Sequence, residues 1–329
     1  MKEINITDIE GFQVGHAQDD TNATGCTVII SKEGAVAGVD VRGGGPATRE
    51  TDLLNPKNMV EQVHAVVLSG GSAFGLESSS GVMQYLSEHD IGFAMKGITI
   101  PIVCQASLFD CSVANPKAYP DKEMGYQACI NAEKNRPEQG NVGAGTGASV
   151  GKFLGFDKAM KTGLGYAAYQ VHDLKVGAIV ALNACGDIYF PNSDKRIAGI
   201  YDQENNLEIN SEEAILEMYE KIMKDPMANT TISCIITNAD LTKAQMNKVA
   251  SVAHNGYAHC IRPVHTSNDG DTIFALGSKK VKADPDVVGI MATKAIEMAI
   301  VNAATKAKAA YGLTSYMKLH KKPDHIQVI

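Results

Sequence analysis

A chain of 329 residues, 44% of them hydrophobic, can fill one large core or two modest ones. Its net charge of −7 and isoelectric point near 5.7 argue against a nucleic-acid partner, because phosphate binding needs a clustered basic face. The opening MKEINITDIEGF carries Glu3, Asp8 and Glu10, so neither a signal peptide nor a membrane span is expected there or elsewhere.

Short strands and helices are predicted to alternate. In chain order they are strands at 26–31 and 35–40, a strand at 64–70, a helix at 74–88, strands at 177–183 and 187–190, a helix at 211–224, a strand at 231–237, a helix at 242–260, a strand at 271–277 and a helix at 285–311. Thr242 with Gln245 spells a capping box, and Asn210 with Glu213 is the matching signal for the helix that follows it. Ile215, Leu216, Tyr219, Ile222 and Met223 would give that helix one apolar face. With no repeat or low-complexity linker, the expectation is a layered α/β fold occupying 1–329 as a single catalytic domain.

Three glycine-rich stretches, RGGGPATRE (42–50), SGGSAFG (69–75) and GNVGAGTGASVGK (140–152), could cradle a phosphate but match no nucleotide fingerprint. Lys152, for example, is followed by Phe153 where a P-loop has Ser or Thr. Tight turns with close backbone approach are the favoured reading, so no cofactor is expected. His254, His259 and His265 lack the spacing that holds zinc on a helix face. Structural, hydrogen-bonded or exposed histidines are expected, and no metal. Seven scattered cysteines (Cys26, Cys104, Cys111, Cys129, Cys185, Cys234 and Cys260) contain no Cys-x-x-Cys pair and suit reduced thiols in the cytoplasm.

The segment KIMKDPMANTTISCIITNADL, residues 221–241, raises a different chemistry. A turn at Asp225–Pro226 leads through Asn229, Thr230 and Thr231 straight into an apolar strand. Asn-x-Thr is a glycosylation sequon, but without a secretory signal it has no use, and a merely polar loop is the plain alternative. The sharper reading is self-cleavage. A threonine hydroxyl held against the preceding carbonyl attacks it, and hydrolysis of the ester leaves a new N-terminus at Thr230. The freed α-amine, a base that ordinarily titrates at about 7.7–8.0, then takes the proton of its own hydroxyl. Asn192–Ser193 offers a rival bond, but Asp-Lys-Arg follows it and no strand does.

NTTISCIITNADLTKAQ together with AHNGYAHCIRPVHTSNDGDTIFAL resembles the self-cleaving DmpA family of aminopeptidases, which includes β-peptidyl aminopeptidases, nylon-oligomer hydrolases and pantetheine hydrolases. VRGGGPATRETDLLNP, VLSGGSAFGL and GNVGAGTGASVGK extend the resemblance over nearly the whole chain. It implies a four-layer αββα sandwich, akin in layering to N-terminal-nucleophile hydrolases, and a homotetramer of protomers cleaved into 1–229 and 230–329. The substrate it implies is a small peptide or aminoacyl amide. By the same resemblance the nucleophile is Thr230, the cleaved bond is Asn229–Thr230, the oxyanion-hole amide is Asn183, and Lys152 is a site lysine. Asp269 and Asp271 are the acidic pair, where relatives with a serine nucleophile carry Ser-x-Glu; taken alone, Asp-Gly-Asp would read as a turn. The family's site tyrosine is best matched by Phe109, which has no hydroxyl. Two other readings stay open: a self-processing N-acyltransferase of the ornithine-acetyltransferase type, and a non-catalytic small-molecule binding protein.

Overall fold

The structure, a computed structural model, describes residues 1–219 and 229–320. Its scaffold is one long sheet built from β1 (Lys2–Ile4), β2 (Gln13–Asp19), β3 (Thr24–Val41), β4 (Ala47–Arg49), β5 (Gln62–Ser69), β6 (Val103–Ser107), β7 (Leu164–Val171), β8 (Leu174–Ala181), β9 (Ile232–Asp240) and β10 (Thr272–Lys282). Spatial order runs β1-β7-β8-β9-β10-β3-β5-β6-β4, with β2 also on β3. The β9–β10 and β5–β6 pairs are parallel, and the other pairs in this sheet are antiparallel.

The two strands expected at 26–31 and 35–40 are one strand, β3. Its first half pairs with β2 and β5, the register shifts between Ile30 and Ala35, and its second half pairs mainly with β10. This single strand therefore carries the sheet from one leaf to another, and the leaves face each other. Period-two alternation sorts the side chains. Ile232, Cys234 and Ile236 of β9 join Phe274 and Leu276 of β10, Ile179 of β8, Ile29 of β3 and Val66 and Leu68 of β5 in the layer between the leaves. Ile235, Ile273 and Val180 point the other way, into a layer with Met246, Val249, Tyr257, Ile296 and Ile300. Those last five belong to α3 (Lys243–Cys260) and α4 (Pro285–Thr305). On the far side Val28, Ile30 and Val67 pack with Val82, Leu86 and Cys129 of α1 (Ser78–Glu88) and α2 (Lys122–Ala132). Three apolar layers between helix pair, leaf, leaf and helix pair make an αββα sandwich.

The caps read from the sequence form. Gln245 donates its N–H to Thr242 Oγ1 at 3.3 Å while its side chain accepts from Thr242 N–H at 2.9 Å. Asn210 Oδ1 accepts from Glu213 N–H at 3.1 Å. Other expectations change. The 285–311 helix stops at Thr305, because Asn141 captures both backbone groups of Lys308 at 3.0 and 2.9 Å and turns the chain away. The 74–88 helix begins as a 3₁₀ turn, Ser72–Glu77, before becoming α-helical at Ser78. The 211–224 helix is described only over Ser211–Glu217; of its expected apolar stripe Ile215 is half-buried, and no described residue covers Leu216 or Tyr219. Ile222, Met223 and the Asp225–Pro226 turn lie outside the described residues. Helix α4 is long and apolar enough by composition to cross a bilayer, a property missed in the sequence, but 67% of that stretch is buried within the fold. It is the central core helix of the α3–α4 layer.

Candidate active site

Asn229 and Thr230 lie at the head of β9, between the approaches to β8 and β10. Asn229 N–H donates to Asn268 O at 3.0 Å, Asn229 O accepts from Gly270 N–H at 2.9 Å, and Thr231 O accepts from Thr272 N–H at 3.2 Å. The parallel β9–β10 ladder is thus prolonged upstream through the Asn229–Thr230 peptide. On the opposite side Thr230 N–H donates to Asn183 O at 3.0 Å. Both halves of the one peptide bond are therefore held, by two different neighbours. The Thr230 hydroxyl, in a residue only 4% exposed, donates to Asn229 O and accepts from Gly270 N–H at 3.1 Å.

Asn183 stands two residues beyond β8 and joins three segments. Its Oδ1 accepts from Lys152 Nζ at 2.8 Å and from Ser149 N–H at 3.1 Å, and its Nδ2 donates to Phe109 O at 2.9 Å. Phe109, the match to the family's tyrosine, thus contributes a backbone carbonyl that orients Asn183. Lys152 is fully buried and donates also to Ser149 O and Asn183 O, both at 3.0 Å. Taken alone, the sequence would have left it a solvated lysine; the fold buries it. Loss of water pushes its amine down to about 7, a shift that nearby Cys185, Asp269 and Asp110 only partly offset. Lys152 Nζ and Thr230 N share one acceptor, Asn183 O.

The two aspartates divide their contacts. Asp269 bridges Asn229 through its backbone, and its Oδ2 accepts from Thr266 N–H at 2.9 Å and from the Thr266 hydroxyl. Burial, and then the charge of Asp271, raise its carboxyl to about 6, while its Oδ1 has no partner among the described residues. Asp271 holds Thr231 rather than Thr230: its Oδ1 accepts from Thr231 N–H at 2.8 Å. Its Oδ2 accepts from His265 N–H at 3.2 Å and meets His265 Nδ1 at 2.8 Å. His265 is a site-lining residue that sequence spacing alone did not mark. His254 bonds Asp40 O at 3.1 Å and His259 bonds Glu297 at 2.7 Å. Among the described residues no group of three or more His, Cys, Asp or Glu could hold a metal.

The glycine loops brace backbone against backbone. Gly45 N–H donates to Asp269 O at 2.8 Å and Gly44 N–H to Thr266 O at 3.2 Å, so 42–50 wraps the acidic loop. A Cβ on Gly43 would stand 2.2 Å from Asp269 O, which only glycine permits. Residues 140–152 deliver Ser149 and Lys152. Two further buried charges that the sequence did not reveal sit behind them. Asp110 accepts from Gly71 N–H at 2.7 Å and from the Thr24 hydroxyl at 2.9 Å, and Lys161 donates to Gly145 O and Ala148 O at 3.0 Å each.

An αββα sandwich with a buried hydroxyl residue at the head of a central strand, flanked by a depressed lysine and raised carboxyl, defines a class: amide-bond hydrolases of the N-terminal-nucleophile type. Comparison with known proteins bears on this directly. Residues 5–317 match the family described as Peptidase family S58, and the chain belongs to that family. It is 37% identical to an uncharacterized aminopeptidase of Mycobacterium leprae over 95% of this chain and 93% of that protein. It is 32% identical to the 6-aminohexanoate-oligomer endohydrolase of Paenarthrobacter ureafaciens, covering 85% of this chain and 76% of that one. In structure it is similar to the L-aminopeptidase D-Ala-esterase/amidase of Ochrobactrum anthropi, reported as a new variant among the Ntn hydrolase fold, with a TM-score of 0.69 at 17% identity over 95% of this chain and 92% of that one. That likeness carries the fold; the sequence match carries the family, and with it hydrolysis of peptide bonds.

Proposed function

We propose that the protein cleaves its own Asn229–Thr230 bond and then uses Thr230 as the N-terminal nucleophile of an aminopeptidase acting on small peptides or aminoacyl amides. The observation that carries this is the clamped peptide itself. Thr230 Oγ1 rests on the carbonyl of Asn229, and the N–H side and C=O side of that peptide are fixed by Asn183 O and Gly270 N–H. A hydroxyl so positioned has little orientational freedom left to lose before it attacks.

Once the bond is open, Thr230 carries hydroxyl and amine together, and the amine takes the hydroxyl proton as the substrate carbonyl is attacked. Asn183 Nδ2, with one hydrogen spent on Phe109 O, offers its second to the developing oxyanion. Lys152, near neutrality at about 7, supplies positive charge or a proton beside Asn183, whose two oxygens it bonds. Asp269 Oδ1, which has no partner among the described residues, then holds the new ammonium or the substrate's amine. Similarity to a protein named as an aminopeptidase supports substrates with a free amino end, and similarity to a 6-aminohexanoate-oligomer endohydrolase supports amide oligomers. A homotetramer of cleaved protomers follows the family resemblance, and a cytoplasmic location is supported by seven unpaired cysteines.

Purified wild-type protein should separate in denaturant into fragments 1–229 and 230–329, the second beginning Thr-Thr-Ile-Ser on N-terminal sequencing. Thr230→Ala should remain one chain without turnover of aminoacyl p-nitroanilides, and Thr230→Ser should still process. An intact wild-type chain with full activity would overturn the reading.

A further inference from the structure

The Gly270 N–H stands within hydrogen-bonding reach of two oxygens at once, 2.9 Å from Asn229 O and 3.1 Å from Thr230 Oγ1. One is the carbonyl oxygen that gains negative charge when the chain cleaves itself; the other is the attacking atom. We infer that the Gly270 amide is the oxyanion donor of the self-cleavage reaction, a role distinct from that of Asn183 toward substrates. The inference rests on the self-cleavage reading above and adds to it a specific catalytic group.

The geometry of the neighbouring donors singles this amide out. Asn183 reaches the scissile peptide on its nitrogen side, through a carbonyl that accepts from Thr230 N–H and so can offer no hydrogen to the oxygen. Its side-chain Oδ1 faces Lys152 and Ser149, and one Nδ2 hydrogen is held by Phe109 O. Lys152 Nζ donates to Ser149 O, Asn183 O and Asn183 Oδ1, which uses its three hydrogens. Among the described residues Gly270 N–H is the backbone donor that meets Asn229 O, and the parallel ladder fixes it there before any charge appears. Preorganisation of this kind is what makes a donor catalytic, since no dipole has to turn as the charge develops.

In the step itself a bond forms between Thr230 Oγ1 and the carbonyl carbon of Asn229, and the carbonyl π pair moves onto Asn229 O beside Gly270 N–H. The C–N bond then breaks, and the hydroxyl proton ends on Thr230 N, leaving an ester and a free amine. Water adds to the ester carbon, releasing the Asn229 carboxylate and restoring the hydroxyl.

Side-chain space at position 270 fits the same role. A Cβ there would stand 2.7 Å from Thr230 Oγ1 and 2.9 Å from Gly45 O. Any side chain would push the nucleophile off the carbonyl or displace the loop that supports Asp269. The residue between the two aspartates is glycine because the attacking oxygen needs that room.

The test removes the N–H without adding a side chain; the same exchange weakens Asp269 O as the acceptor of Gly45 N–H, as an ester at 272 weakens Asp271 O. A full-length chain is assembled by ligation at the native Cys260 with glycolate at position 270, which turns that amide into an ester, and fragment appearance is timed from the start of refolding. Amide wild type assembled the same way is the reference. A second ester, at Thr272, removes a ladder bond of the same strand, to Thr231 O at 3.2 Å, without touching the scissile carbonyl. Rates are normalised to the folded fraction read by circular dichroism. The ester at 270 should slow self-cleavage by about 100-fold or more, the scale on which one oxyanion donor acts, while the ester at 272 stays within a few-fold of the reference. Equal cleavage rates for the 270 ester and the amide chain overturn the role of Gly270, as does equal slowing by both esters, which would make the effect one of strand pairing. A reference chain that folds and never cleaves removes the self-cleavage reading instead.

Discussion

Asp269 and Lys152 bring opposite charges into one dry site, and burial moves each toward its neutral form, to about 6 and about 7. If Asp269 holds an ammonium, it must be ionised to do so, and lowering the pH through about 6 removes its charge. The acid limb of kcat/KM should therefore fall near that pH in the wild type. Asp269→Asn should flatten that limb and lower turnover under mildly alkaline conditions by about 100-fold, within the range of positioned acid–base groups. A melting temperature that drops in step with activity would assign Asp269 to the turn alone. Thr231 differs from its neighbour in every contact: its hydroxyl is buried with no partner among the described residues, while its N–H is held by Asp271. Thr231→Val keeps the β-branch and deletes an unsatisfied hydroxyl, so it should process and turn over normally and gain up to about 1 kcal/mol in denaturant unfolding. An acyl adduct found by mass spectrometry on Thr231 would move the nucleophile by one residue.

At the level of secondary-structure elements, the site is an assembly of strand ends and the loops that brace them. The loop carrying Ser149 and Lys152 is pinned from behind by Lys161, whose ammonium faces the carbonyls of Gly145, Ala148 and Thr162. Lys161→Met keeps the volume and leaves these acceptors bare, so stability should fall by about 1–3 kcal/mol, and self-cleavage should slow as Asn183 loses its support. Burial depresses the Lys161 amine to about 7. A depressed amine stabilises fully above its unfolded pKa and loses that contribution as pH falls through its folded value. The deficit of Lys161→Met, measured by urea unfolding, should therefore widen as the pH is raised from about 7 to about 9. A deficit independent of pH would show that the lysine stays charged in the fold.

For the whole molecule, the order of strands decides what cleavage does. Strands β9 and β10 follow Thr230 in the chain yet lie side by side in the middle of the sheet, with β8 on one flank and β3 on the other. Helices α3 and α4, also downstream of the bond, pack on the same leaf. A cut at Asn229–Thr230 therefore frees neither fragment. The fragments should elute together in native size exclusion and melt in one cooperative transition; two separate transitions would contradict this interleaving. Light scattering on the same sample measures whether the cleaved protomers form the proposed tetramer.

Local signals were legible from the amino acids alone: the caps at Thr242 and Asn210, the apolar strand after Thr231, the Asp269-Gly-Asp271 motif, and the class that these motifs resemble. Each depends on residues close together in the chain, where spacing and side-chain type are enough. Strands β2, β6 and β7 and helix α2 escaped because Gln105, Gly165 and the polar positions of α2 blur the period that would mark them, and packing against neighbours makes up the difference. That the strands at 26–31 and 35–40 are one could be settled by the fold alone, since the bend is fixed by partners on two different leaves. The same holds for the charge states of Lys152 and Asp269, the pairing of His265 with Asp271 and the approach of Gly270 to Asn229. Burial and long-range hydrogen bonds set these, and the groups that make them are mostly distant in sequence and meet only when the sandwich closes.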